Sequence, residues 1–249
     1  MTQSIYRNPI FLNSVSHKSL RVAPVGDYQF ARTLNSVLIV GQEFLEGAKF
    51  FPLVFTKGEG GETVPVAILG LRNGENLFVE NTGTWRKGTY IPAYFRRYPF
   101  ILANNVGQDG SYALCVDAQY EGFNDNKGML LFDGEGNQTA EFKLTIDFLR
   151  NYQNQYESTK NLVKVLEEYS LFKEVSANIT LPAGEKIGLG GLTMVDEEAM
   201  FRMDDEKIVH LFRLGYLAWI YAHLYSLSNF RSLMDIADKG HRGVQGAVL

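Results

Sequence analysis

The spacing of apolar residues changes along the chain, from short apolar runs in the first half to helical periodicity in the second. The short runs are bounded by turn residues and predict strands at 17–25, 53–55, 64–71, 76–80, 111–117 and 129–133. Asn73-Gly74 lies between two of these runs and predicts a hairpin. A helical turn or two is expected over 42–50, ended by Pro52.

The recurrence of apolar residues from Leu144 to Tyr169 predicts a long amphipathic helix with one buried stripe. Four further elements are expected after it, namely strands at 171–181 and 186–195 and helices at 206–226 and 228–238. This order is typical of an α+β fold with a mainly antiparallel sheet in its first half. We expect a single domain over 1–238 and a flexible tail over 239–249.

Composition narrows the class of protein. The chain has 249 residues, of which 45% are hydrophobic, enough for a large core. Its net charge of −4 argues against a nucleic-acid binder. The most apolar stretch, 208–227, contains Arg213 and is too short in its uncharged part to span a membrane, which takes about 20 residues. Because the first residues lack the apolar run and the cleavage site of a signal peptide, and Cys115 is the one cysteine of the sequence, we expect a soluble, cytoplasmic protein.

The segment Trp85–Phe100 is dense in aromatic and basic residues. It holds six aromatic residues and four positive charges without one carboxylate. Such groups can pack on each other in a core, with the arginines paired to carboxylates such as Asp117 or Glu121. They can also form a platform on which rings stack while arginine holds an anion. With two residues of the strand that follows, the ligand-binding candidates are Trp85, Arg86, Tyr90, Tyr94, Arg96, Arg97, Cys115 and Asp117.

The sequence contains no complete catalytic or metal-binding motif. His210 and His223 face nearly opposite sides of one predicted helix, so they cannot share a metal there. Cys115 lies in an apolar strand, as inert core thiols do, and Asp117 on the same strand face would raise the thiol pKa. We therefore expect no metal and no cofactor, leave catalytic residues unassigned, and favour a non-catalytic protein over an enzyme.

Several segments resemble bacterial proteins of the SapC-like family. The likeness is carried by Trp85 with Tyr90–Phe100, and by Asn76–Val79, Leu114–Asp117, Gly128–Gly136, Gly191–Glu197 and Tyr221–Asn229. It runs in order from about residue 10 to 235. The resemblance implies a link to bacterial surface layers, from which the family takes its name, but no particular reaction. The peptide-transporter permease with the same name is a different kind of protein, because this chain lacks predicted membrane spans.

Three functions are compatible with these observations. The leading one is a non-catalytic binding or accessory protein with a small anionic or peptide ligand, linked to surface-layer or cell-envelope systems. The second is an enzyme for a small anionic or peptide substrate, with Arg96 or Arg97 for binding and Asp117 or Glu121 for proton transfer. The third is an oligomeric structural protein, in which exposed aromatic residues on the 206–226 helix would contact a second copy. A cell-surface location is implied by the family name alone.

Overall fold

A computed structural model describes residues 5–104, 112–124, 126–181 and 184–245. Its strands are β1 (Pro9–Phe11), β2 (Arg21–Val22), β3 (Ser36–Leu38), β4 (Leu53–Lys57), β5 (Thr63–Ile68), β6 (Phe100–Asn104), β7 (Tyr112–Asp117), β8 (Phe123–Asn124), β9 (Met129–Leu130), β10 (Phe172–Thr180) and β11 (Lys186–Val195). Its helices are α1 (Phe44–Gly47), α2 (Ala93–Arg96), α3 (Ala140–Glu168), α4 (Glu197–Phe201), α5 (Asp205–Arg213), α6 (Tyr216–Ser226) and α7 (Asn229–Gln245). The predicted α+β class is confirmed, with a strand pair between the later helices.

The strands form three antiparallel sheets. The largest has the order β10-β11-β4-β5-β3, and the smaller ones are β1-β7-β6 and β8-β2-β9. β4 and β5 pair along their length across the glycine-rich turn at 58–62. By contrast, β11 pairs with β4 only through Thr193 and Phe55. The β10–β11 hairpin is therefore joined to the rest of its sheet by a single ladder pair.

The predicted hairpin around Asn73-Gly74 is wrong. The residues after this turn do not form a strand but a buried turn. The Asn76 side chain donates to the Ala31 carbonyl at 3.0 Å and accepts from the Phe78 amide at 2.9 Å. An asparagine that bonds nearby backbone groups in this way competes with strand pairing. The hairpin lies one turn earlier, between β4 and β5.

The helix predicted over 206–226 is two helices. α5 ends at Arg213 and α6 begins at Tyr216. Between them Gly215 has φ 74°, a left-handed conformation that glycine adopts without steric cost. The last helix, α7, also extends to Gln245, past its predicted end at 238.

The long helix α3 joins two hydrophobic cores and confirms the predicted amphipathic helix. At 29 residues it is about 43 Å long. The Thr139 hydroxyl caps its first turn by accepting from the Phe142 amide at 3.3 Å. Phe142 and Ile146 pack in the core of the two smaller sheets, and Leu162 and Leu166 pack in the core of the large sheet.

The aromatic-basic segment 85–100 lies where these two cores meet. Trp85 and Phe95 belong to the core of the large sheet, whereas Phe100 belongs to the core of the smaller sheets. Between them Ala93 packs against Tyr152 in the middle of α3. The segment therefore helps to connect the two halves of the fold.

The end of α3 gives a first stability prediction. Ser170 has φ 53° and is the one residue other than glycine with a positive φ in the described ranges. The Leu171 amide donates back to the Leu166 carbonyl at 2.9 Å, as in a Schellman motif. Since a left-handed conformation costs a side-chain-bearing residue about 1–2 kcal/mol, Ser170→Gly should raise the free energy of unfolding by about 0.5–1 kcal/mol.

Urea denaturation measures this change. The control is Ser232→Gly, at an exposed position inside α7, which should lower stability by about 0.5 kcal/mol because glycine disfavours a helix interior. A Ser170→Gly protein less stable than the wild type would show that the Ser170 conformation is not strained.

Candidate functional site

A buried carboxylate, Glu43, organises the start of α2. Its side chain is 5% exposed. Oε1 accepts from the Tyr90 hydroxyl at 2.8 Å and from the Ala93 amide at 2.7 Å, while Oε2 accepts from the Val40 amide at 3.2 Å. Burial raises the pKa of the Glu43 carboxyl, and these hydrogen bonds oppose that rise. Glu43 thus anchors both Tyr90 and the first turn of α2.

Arg96 lies beside this carboxylate at the surface. Nη2 donates to the Tyr90 hydroxyl at 2.8 Å, and Nε donates to the Ile91 carbonyl at 2.9 Å. The guanidinium also stands over the rings of Tyr90 and Phe148, at 5.4 and 5.3 Å from their centroids. Its contact with Glu43 Oε1 is longer, at 3.9 Å, and the Arg96 side chain is 42% exposed. Within the described part of the chain, Nη1 donates no hydrogen bond.

Arg97 contacts a different group of rings. Its guanidinium carbon lies 4.3 Å from the centroid of Tyr94, 4.8 Å from that of Tyr152 and 5.5 Å from that of Tyr6. Nε is buried without a hydrogen-bond partner among the residues that the structure describes. Burial raises the pKa of the Tyr6 and Tyr152 hydroxyls, so these groups stay neutral hydroxyls beside the cation. Arg97 is held by aromatic faces in place of a carboxylate.

Asp117 is not paired with either arginine, contrary to the structural interpretation of the sequence. It is fully buried at the end of β7. Oδ2 accepts from the Arg7 amide at 2.9 Å and from the Tyr98 hydroxyl at 3.4 Å. Oδ1 accepts from the Asn8 amide at 3.0 Å and from the Gln119 amide at 3.1 Å. The carboxylate therefore fastens the N-terminal segment to the end of β7.

Three other candidates lie away from the exposed face of Arg96. Trp85 is a core residue, 8% exposed, and its indole N–H donates to the Tyr90 carbonyl at 3.1 Å. Cys115 is buried in β7, and burial raises the pKa of its thiol. The direction matches the prediction, but the cause is burial and not a neighbouring carboxylate. Arg86 is half-buried just after Trp85.

A cleft of about 470 Å³ opens beside Arg96, within the range typical of small-molecule sites. It lies between the segment after β2, the 96–100 segment and the first turns of α3. Its lining is mostly apolar and aromatic, and its polar side chains are Tyr28, Arg96, Tyr98, Glu141 and Thr145. Burial raises the pKa of the Tyr28 hydroxyl, and the positive charge of Arg96 partly opposes this. Tyr28 and Arg96 both line the cleft, and the Arg96 charge acts on the Tyr28 hydroxyl.

The sequence placed Arg96 among the candidates but missed Glu43, Tyr28 and Glu141. These residues come from three other parts of the chain, and contact in space does not leave a local pattern. No sequence feature separates the buried Glu43 from the exposed Glu46 in the same short helical stretch.

The described ranges contain neither a metal-binding cluster nor a membrane-spanning helix. No three or more His, Cys, Asp or Glu side chains come close enough together there to hold a metal ion. Nor does any helix in those ranges combine the length and hydropathy that crossing a membrane requires.

Comparison with known proteins gives one match. Neither the curated proteins nor the solved structures contain a match to this chain. The family model described as SapC matches residues 12–233, a span that includes Glu43, Arg96 and the whole lining of the cleft. This confirms the resemblance seen in the sequence motifs. The chain belongs to the SapC family.

Proposed function

We propose that this protein is a non-catalytic binding or accessory protein that holds a small ligand with an anionic group in the cleft beside Arg96. The supporting observation is the balance of charge around α2. Arg96 has one carboxylate nearby, that of Glu43 at 3.9 Å, and Arg97 is surrounded by tyrosine rings in place of a carboxylate. The Glu43 oxygens are already occupied by three hydrogen bonds from other donors. The positive charge at the mouth of the cleft is therefore only partly compensated.

Arg96 is the residue best prepared to meet an anion. Its Nε and Nη2 bonds and the rings of Tyr90 and Phe148 hold the guanidinium in one orientation, so little side-chain entropy is lost on binding. Nη1 remains available, and a guanidinium binds a carboxylate through short, charge-assisted hydrogen bonds. The Tyr28 hydroxyl lines the same cleft and offers a second donor.

The cleft also carries a negative charge, on Glu141 at the start of α3. A second anionic group would be repelled there, whereas an ammonium group would be attracted. A short peptide has one terminus of each charge, so it suits the lining better than inorganic phosphate does. This observation favours a peptide among the anionic ligands considered.

The enzyme alternative has less support. Of its two candidates for proton transfer, Asp117 is buried among backbone amides, and neither Asp117 nor Glu121 lines the cleft. Among the described residues, no histidine lines the cleft either, and Trp85 is packed in the core. A role in surface-layer or cell-envelope systems is part of our proposal on the strength of the family name.

Thermal shift with small probes tests the proposal. We expect glycylglycine to stabilise the protein more than acetate or phosphate does. At 100 times its Kd a probe adds about 2.7 kcal/mol, or roughly 5–10 °C in Tm for a chain of this size. Arg96→Gln should abolish the shift and Tyr28→Phe should reduce it. Lys87→Gln removes an exposed charge from the same segment, outside the cleft lining, and should leave the shift unchanged.

Two outcomes would contradict the proposal. One is the absence of a shift with every probe at millimolar concentration. The other is an equal shift in an Arg96→Gln protein whose circular dichroism shows that it is folded, since binding would then not depend on the Arg96 guanidinium.

A further inference from the structure

The helix α6 is apolar around its whole circumference, yet one of its faces is exposed. From Leu214 to Phe230 the chain has no Asp, Glu, Lys or Arg. The side of α6 that packs into the protein carries Tyr216, Ile220 and His223. A helix that is apolar all round normally lies inside a protein. The opposite face of α6 therefore calls for a partner.

The exposed face is a narrow, continuous stripe. At 100° per residue, Ala218, Tyr221 and Tyr225 fall within a sector of about 60°. We refer to these three residues as the α6 outer stripe. Tyr221 is 47% exposed and Tyr225 is 71% exposed. Leu214 in the preceding turn is 43% exposed, and Leu45 is 56% exposed on α1, a helix that packs against α6.

We propose that the α6 outer stripe is the contact surface for a second copy of this chain across a twofold axis. In such a dimer each residue near the axis lies close to its own counterpart, so a charged face would repel itself. The stripe and its flanks from 214 to 230 carry no charge and avoid that repulsion. A surface shaped for a charged partner would carry complementary charges; the stripe has none, and Glu46 and Lys49 beside Leu45 pair with each other at 2.6 Å.

The exposed area is consistent with a weak dimer. With a fully exposed tyrosine counted at about 200 Å², Tyr221 and Tyr225 expose about 240 Å² per copy. Two copies would bury nearly 500 Å² from the tyrosines alone. With the exposed parts of Leu45 and Leu214 added, the total stays below the roughly 1,000 Å² of a stable interface. We infer a reversible dimer whose population depends on protein concentration.

A membrane surface fits the stripe less well. Helices that lie on membranes usually combine an apolar face with lysine and arginine beside it, which attract anionic lipids. α6 has neither residue type. The tyrosine rings of α6 can pack against another apolar protein surface, where lysine and arginine contacts with lipids are not required.

Sedimentation velocity across the micromolar range tests the dimer. The wild type should shift from monomer to dimer as concentration rises. Tyr221→Glu places a carboxylate in the middle of the stripe, and it should stay monomeric at every concentration. The matched control is Tyr112→Glu on β7, where the tyrosine is 43% exposed, and it should dimerise like the wild type.

A charge-pair experiment tests the twofold arrangement. Tyr221→Lys should also be monomeric alone, whereas a mixture of Tyr221→Glu and Tyr221→Lys proteins should recover dimer, because opposite charges then meet near the axis. The idea fails if the wild type is monomeric throughout, or if Tyr221→Glu dimerises normally. It also fails if the wild type stays monomeric but co-sediments with phosphatidylcholine vesicles through Tyr221, which would assign the stripe to a membrane. Circular dichroism confirms that each variant is folded.

Discussion

Asp117→Ala is expected to lower the free energy of unfolding by about 4 kcal/mol, a large part of the roughly 5–15 kcal/mol that holds a typical domain together. The substitution removes the acceptor for three backbone amides, those of Arg7, Asn8 and Gln119, and for the Tyr98 hydroxyl. A buried donor left without an acceptor costs about 1–3 kcal/mol. Water entering the space left by the side chain would recover part of that cost.

The asparagine variant should lie between alanine and the wild type. Asp117→Asn keeps one oxygen, which can still accept from Asn8 and Gln119, but it turns an amide nitrogen towards the Arg7 amide. We expect a loss of about 2 kcal/mol, because one backbone donor then faces a second donor. Urea denaturation followed by circular dichroism measures both variants.

The matched control is Asp133→Ala. The Asp133 carboxylate also accepts backbone hydrogen bonds, from the Glu135 and Asn137 amides at 2.9 Å, but it does so in a solvent-exposed turn where water can replace it. Its loss should be much smaller. If Asp117→Ala and Asp133→Ala lowered the free energy of unfolding equally, burial of the Asp117 hydrogen bonds would not explain their contribution to stability.

The elements that the sequence predicted well are those determined by local pattern. α3 was expected because one apolar stripe recurs over eight turns, and its burial follows directly from that periodicity. β10 and β11 were expected within one residue of their observed ends, because each is a long run bounded by turn residues. The local pattern gave a wrong prediction for two elements, because a hydrogen-bonding side chain or a single glycine determined the backbone conformation there. Asn76 turned an expected strand into a buried turn, and Gly215 divided an expected helix.

The candidate site was predictable in part. Arg96 is the last residue of the short helix α2 and Arg97 is its C-cap with helical backbone angles, so their side chains leave the axis about 100° apart. Because of this angle, only one of the two side chains can face a given cleft. This conclusion could have been inferred from the sequence. The angle could not reveal which one, because Glu43 approaches from 53 residues before Arg96, and Tyr6 and Tyr152 beside Arg97 come from the N-terminal segment and the middle of α3.

The second large effect concerns His223, whose imidazole ring bridges β4 and β11 by hydrogen bonds to the backbone of both strands. The Phe55–Thr193 pair implies that Leu53 would lie opposite Val195 if the ladder continued. Instead the imidazole lies between these two strands. The Val195 amide donates to Nε2 at 3.0 Å, and Nδ1 donates to the Leu53 carbonyl at 2.8 Å. This network requires a neutral ring with its proton on Nδ1.

Protonation of His223 would therefore break a strand connection. Burial lowers the pKa of His223 from 6.5 to about 4, while the hydrogen bond to Leu53 acts in the opposite direction. The unfolded chain then binds this proton more tightly than the folded protein does. The contribution of His223 to stability is complete above pH 6.5 and is lost as the pH falls towards 4, by about 3 kcal/mol in all.

His223→Gln isolates this contribution. A glutamine amide can accept from Val195 and donate to Leu53, but it does not titrate in this range. Between pH 7 and pH 4.5 we expect the variant to lose about 2 kcal/mol less stability than the wild type, measured by urea denaturation at each pH. His210→Gln is the control, since that histidine is exposed beside Tyr169 and its removal should leave the acid dependence unchanged. An acid dependence in His223→Gln equal to that of the wild type would mean that other groups cause it, and that the imidazole bridge between β4 and β11 tolerates a second proton.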